Sequence, residues 1–162
     1  MAVFEKTTPS KLFNVIPMIN DGGMTMLGRL THATIWVHDQ DEALDFYTKV
    51  LGMEVREDVT IAEMGDYRWL TVGPTSQPDV SFILTVPGPP VIDGELAKRL
   101  QDFIAQGVIG NYHFATDDCR AAFLDLKKRG VEFIMEPTEM PYGIDAQFHD
   151  PSGNKLRFTQ SK

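Results

Sequence analysis

His32-Ala-Thr-Ile-Trp-Val-His-Asp39 is the stretch on which the fold turns. Ala33, Ile35 and Val37 alternate with His32, Thr34 and Trp36, the period of two that puts successive side chains on opposite faces of a strand. A helix signal follows at once. Asp39 stands three residues before Glu42, at capping-box spacing, and Ala43, Phe46, Tyr47, Val50 and Leu51 recur at helical spacing until Gly52 stops them.

Working outward, segments 53–59, 68–72 and 80–86 read as three further strands, with Gly73-Pro74 as the plainest turn between them. The pattern then recurs. Shifted by 79 residues, His32 falls on Asn111, Asp39 on Asp118, Ala43 on Ala122 and Tyr47 on Leu126. Asp118 would cap a second helix carrying Ala122, Phe123 and Leu126, Gly130 would end it, and strands are expected at 131–135, 144–148 and 155–159. The chain therefore divides into a strand–helix–three-strand module at 28–86, a linker at 87–108 and a second module at 109–160. The linker opens with Pro87 to Pro90 and carries Leu96, Leu100, Phe103 and Ile104 at amphipathic helix spacing. Residues 1–27, punctuated by Pro9, Pro17 and Gly22-Gly23, read as an N-terminal extension.

Composition sets the outer limits. A chain of 162 residues, 43% hydrophobic, is long enough for one good core and short for two ordinary domains. A formal charge of −8 with 15 dispersed Lys and Arg argues against a nucleic-acid footprint, which needs clustered cations. Cys119 is the single cysteine, so no internal disulfide can form, and a reducing, cytoplasmic setting is expected. The apolar run 12–19 is broken by Asn14 and Pro17 and falls short of the roughly 20 residues of a membrane span, so no membrane partner is expected.

The opening His32 to Asp39 stretch, with Ala43, Phe46-Tyr47 and Leu51-Gly52 after it, resembles the start of a module of the vicinal oxygen chelate superfamily, the glyoxalase and bleomycin-resistance proteins. Asp150-Pro-Ser-Gly-Asn-Lys-Leu-Arg-Phe158 resembles the turn and final strand that close the second module there. The resemblance implies an α+β fold of paired βαβββ modules forming a half-barrel around a cavity. It also implies a homodimer, because such half-barrels commonly complete their surfaces against a second subunit. In four strands one alternating set is apolar (among them Ile35, Val37, Leu84, Phe114, Leu156 and Phe158), and the other is largely polar. If the apolar set packs under the helices, His32, Thr34, Trp36, Ile83, Asn111, His113 and Arg157 line the cavity as ligand-binding candidates.

In metal-using members of that family, four inward positions supply imidazole and carboxylate ligands. They match His32, Ile83, Asn111 and Arg157. Isoleucine has no donor atom, and arginine brings a fixed positive charge without a lone pair, so no metal site and no cofactor are expected. His113 could join His32, but no balancing carboxylate is evident. His32 is the best candidate for acid/base chemistry because imidazole titrates near working pH, with a satisfied strand histidine as the equal alternative. A guanidinium at Arg157 suits a ligand's carboxylate, phosphate or phenolate, with an internal pair to Asp145 as the competing arrangement. Trp36 and Trp69 could stack on a flat ligand or simply pack.

The expected function is binding of an aromatic or anionic small molecule, or metal-independent chemistry upon it. A metal-dependent glyoxalase-type lyase, isomerase or dioxygenase is the alternative, and a non-catalytic interaction domain the third reading.

Overall fold

The structure is a computed structural model and describes residues 28–162; the 1–27 extension lies outside the described residues. Strand β1 (His32–Trp36) leads into helix α1 (Gln40–Asp45), which continues as a π-helical segment, Phe46–Val50. Then come β2 (Glu54–Ile61), β3 (Tyr67–Gly73) and β4 (Ser81–Thr85). Helix α2 (Gly94–Ala105) occupies the linker. The second module is β5 (Asn111–Ala115), α3 (Cys119–Lys128), β6 (Phe133–Met140), β7 (Gly143–His149) and β8 (Lys155–Ser161).

Two four-stranded sheets result, ordered β1-β4-β3-β2 and β5-β8-β7-β6. In each the first strand pairs parallel with the last, and the other pairings are antiparallel. His32 opposite Ser81 and Asn111 opposite Lys155 are the matching first rungs; the first strands are 79 residues apart, as the repeat has it, and the last strands 74. The caps repeat as well. Asp39 Oδ1 accepts from the backbone N–H of Asp41 and Glu42, and Asp118 Oδ1 from those of Arg120 and Ala121, each satisfying two orphan donors of its helix.

Two local features differ from the sequence expectation. The first helix widens after Asp45, so that Leu51 N–H bonds back to Phe46 C=O at 3.0 Å, five residues away. Strand β6 runs on to Met140 through Pro137, because it is an edge strand and the register shifts between Met135 and Thr138 leave the proline no ladder bond to make.

The helix-side residues of both sheets build one apolar cluster. Ile35, Leu70, Leu84, Ala146 and Leu156 have no exposed surface, and Tyr47 and Phe123 pack from the helices. Phe82 joins the halves, its ring 5.8 Å from both Tyr112 and Phe114. Polar bonds fix the junction: the Tyr112 hydroxyl donates to Thr34 C=O at 2.7 Å, and Asn154 Nδ2 to Trp36 C=O at 2.8 Å. The Asp150–Asn154 turn is the main fastening. Asp150 Oδ1 accepts from the backbone N–H of Ser152 and Asn154, and Oδ2 from Asn154 Nδ2 and from the Tyr47 hydroxyl of the first module. His38 N–H in turn donates to Ser152 Oγ.

With the helix-side faces sharing one core, the polar sets of the two sheets lie on the opposite, open faces. Most of these residues are half-buried or exposed, whereas Ile35, Leu84, Leu156 and Phe158 beside them are buried. Ser81 and Thr85 are covered exceptions.

Candidate functional site: the open faces of two sheets

The first sheet presents His32, Thr34 and Trp36 from β1, beside Ile83 from β4. His32 is half-buried, its Nδ1 3.1 Å from Thr31 Oγ1, and its ring leans on Trp69 at 5.6 Å with planes tilted by 59°. Trp69 is held on its other side, where the indole Nε1–H donates to Glu57 Oε2 at 2.7 Å. Glu57 lies directly opposite Thr71 in the β2–β3 ladder, and Thr71 opposite Ile83. These residues share one face because Leu70 and Val72, which flank Thr71, point into the core.

Toward the end of this face Arg56 lies against Gly73. A Cβ on Gly73 would stand 2.8 Å from Val80 C=O, a backbone contact that cannot give, and 3.1 Å from Arg56 Nε. Arg56 Nη2 donates to Pro74 C=O, and Nη1 pairs with Glu54.

The second sheet presents a different chemistry at the equivalent positions. Arg157, opposite His113 and Gln147, occupies the place that Ile83 holds in the first sheet. Its Nε lies 3.4 Å from Asp145 Oδ2, and the Gln147 amide oxygen, in its bonded orientation, accepts from Nε and Nη2. Asp145 has no exposed surface. Thr159 Oγ1 donates to Oδ1 and the Tyr142 hydroxyl to Oδ2, both at 2.7 Å. Burial would raise this carboxyl, but the bonds from Thr159 and Tyr142 and the charges of Arg157 and His113 outweigh it and hold it below its ordinary value. The same bond pushes the Tyr142 phenol up.

Arg157 thus takes the internal partner weighed against a ligand anion, and its charge is already compensated. The sequence offered Asp145 as that partner. It gave no sign of Gln147 beside it. Glu57, Thr71 and Arg56 were missed altogether, since they sit on β2 and β3, where a bulge between Val55 and Glu57 breaks the alternation.

The divalent metal of the fold family finds no fit. Ile83 offers no donor, Arg157 is a cation committed to Asp145, and Asn111 and His113 are exposed on the other sheet from His32. Among the described residues no group of three or more His, Cys, Asp or Glu could hold an ion.

A separate cleft of about 490 Å³ lies on the helix side, lined by Phe46, Val131, Phe133, His149 and Asp150 among others. Its one buried carboxylate, Asp150, already accepts four bonds, and its other ionisable side chains, Glu132 and His149, are exposed at the surface.

These sheets and faces define a class that sequence and structure comparison state directly. Residues 29–158 match the Glyoxalase/Bleomycin resistance protein/Dioxygenase superfamily, and the chain belongs to that family. Its fold is similar to the crystal structure of UcmS2, with 46% identity and a TM-score of 0.78 over 84% of this chain and all of that one. It is also similar to TnmS3, an antibiotic binding protein from Streptomyces sp. CB03234, with 27% identity and a TM-score of 0.67 over 86% of this chain and all of TnmS3. Human mitochondrial methylmalonyl-CoA epimerase is 30% identical over 122 residues, 74% of this chain and 64% of the enzyme.

Proposed function

We propose that the protein binds a flat aromatic compound that carries a hydrogen-bond acceptor, and that it does so without a metal. The observation that carries this reading is the preset Arg157. Asp145 and Gln147 hold its guanidinium on the open face of the second sheet, where it keeps N–H groups to offer. Because Asp145 already balances the charge, a carbonyl or similar neutral acceptor is the better partner, and a full anion gains less. Across the pseudo-symmetric fold the matching face is aromatic, with Trp36 and Trp69 beside Ile83. The similarity to an antibiotic binding protein supports sequestration.

Each open face is only half covered in one chain, and a homodimer in which a second copy closes these faces completes the proposal. Sedimentation at micromolar concentration is expected to show the dimer; monomer alone would remove this part.

The kinship to an epimerase supports a second reading in which the same faces carry proton transfer, with His32 and Glu57 as the groups available. Turnover of methylmalonyl-CoA by the purified protein would favour that reading.

The binding test is titration with 2-acetyl-6-methoxynaphthalene, a neutral flat ketone. A contact from Arg157 of about 1.5 kcal/mol means that Arg157→Leu, folded by circular dichroism, binds it roughly tenfold more weakly. Equal affinity of the two proteins would refute the role of Arg157.

A further inference from the structure

Thr71 is the anomaly of the first sheet. It has no exposed surface, yet its hydroxyl has no hydrogen-bond partner among the described residues. It faces the open side, and the residue covering it is identifiable. Trp69, two residues earlier on the same face, reaches Glu57 through its indole N–H and His32 through its ring, so the indole lies over the middle of the sheet above Thr71. A buried hydroxyl left unpaired is costly, and such groups persist where another state satisfies them.

Resting on the binding reading above, we propose that Glu57, Trp69 and Thr71 form a latched subsite that reads a hydroxyl on the ligand. The ligand O–H replaces the indole N–H as the donor to Glu57 Oε2. The displaced indole uncovers Thr71, whose hydroxyl then donates to the ligand oxygen. One ligand hydroxyl therefore satisfies both protein groups, which stand directly opposite each other in the β2–β3 ladder. The freed indole turns to stack on the aromatic body.

The equivalent pair in the second sheet is Met135 and Gln147, which cannot accept in this way because Gln147 faces Arg157. The two faces thus impose a direction on the ligand: a donor hydroxyl toward the first sheet and an acceptor toward the second.

The test compares 6-hydroxy-2-acetonaphthone with its methyl ether, 2-acetyl-6-methoxynaphthalene, by calorimetric titration of the full chain. The hydroxyl compound is expected to bind about tenfold more tightly, because the bond to Glu57 is exchanged and the net gain is the bond that satisfies the buried Thr71 hydroxyl. In Glu57→Gln and in Thr71→Val the ratio of the two affinities is expected to fall toward one. Thr71→Val removes an unpaired hydroxyl, so it is also expected to raise the melting temperature of the free protein, and the Trp69 indole N–H resonance is expected to move only with the hydroxyl compound. Equal binding of the two compounds by the unsubstituted protein, or a ratio that survives both substitutions, overturns the latch while leaving the binding reading intact. Failure of both compounds to bind overturns the two together.

Discussion

Replacing Tyr47 with Phe removes a single oxygen from the fastening between the two modules. Tyr47 and Asp150 are buried, and the phenol donates to Asp150 Oδ2 at 2.8 Å. A hydrogen bond to an ionised group contributes about 1.5–3 kcal/mol. Phenylalanine removes the donor together with its own need for a partner, and Oδ2 keeps its 2.8 Å bond from Asn154 Nδ2, so the loss belongs near the lower end, about 1.5 kcal/mol. For a chain of this size that corresponds to a fall in melting temperature of roughly 3–6 °C.

The loss is expected to depend on pH. Burial raises the Asp150 carboxyl above its ordinary value, opposed by bonds from Asn154, Tyr47 and Ser152; removing the phenol raises it further. A carboxyl raised by folding contributes stability that is full below the unfolded value and is lost as pH rises through the folded one. The Tyr47→Phe deficit is therefore small near the ordinary carboxylate range and grows toward neutrality. Urea denaturation of both proteins from about pH 4 to 8 measures this directly. A deficit that is constant with pH, or absent at neutral pH, would refute the charge-assisted bond.

Gly110→Ala is expected to destabilise by more than about 2 kcal/mol, because φ there is +78° and the added Cβ would stand 1.9 Å from Asn154 Oδ1, inside the same fastening; thermal unfolding checks it. Asp145→Asn leaves the Arg157 charge uncompensated, so affinity for 2-naphthoate, an aromatic anion, is expected to rise roughly tenfold in that variant by calorimetric titration. Cys119 is sealed, and burial followed by the Asp145 charge pushes its thiol up, so a thiol reagent is expected to label it only after denaturation.

The two-module fold was legible because its signals are redundant. Alternation in β1, β4, β5 and β8 separates a core face from an open face, and Asp39 and Asp118 cap their helices with the same pair of bonds. Edge strands were less legible, since they are not sorted by burial: Val55 and Val59 on β2 are nearly half exposed, and β6 passes through Pro137. The π-helical segment left no sequence signal because Phe46, Tyr47 and Val50 fit an α-helical stripe equally well. At the site, strand alternation put His32, Trp36 and Arg157 on open faces. The pairing of Arg157 with Asp145 and of Trp69 with Glu57 depends on strand register, which a bulged β2 hides from any count along the chain.

Amide, indole and guanidinium NMR mapping of the protein with 2-acetyl-6-methoxynaphthalene tests the central claim most directly. Binding to the open faces predicts shifts in the Arg157 Nε–H signal and in residues 32–36, with the Phe46, Val131 and Phe133 amides unmoved. Shifts confined to the cleft at Phe46, Val131 and Phe133, with Arg157 unmoved, would contradict it.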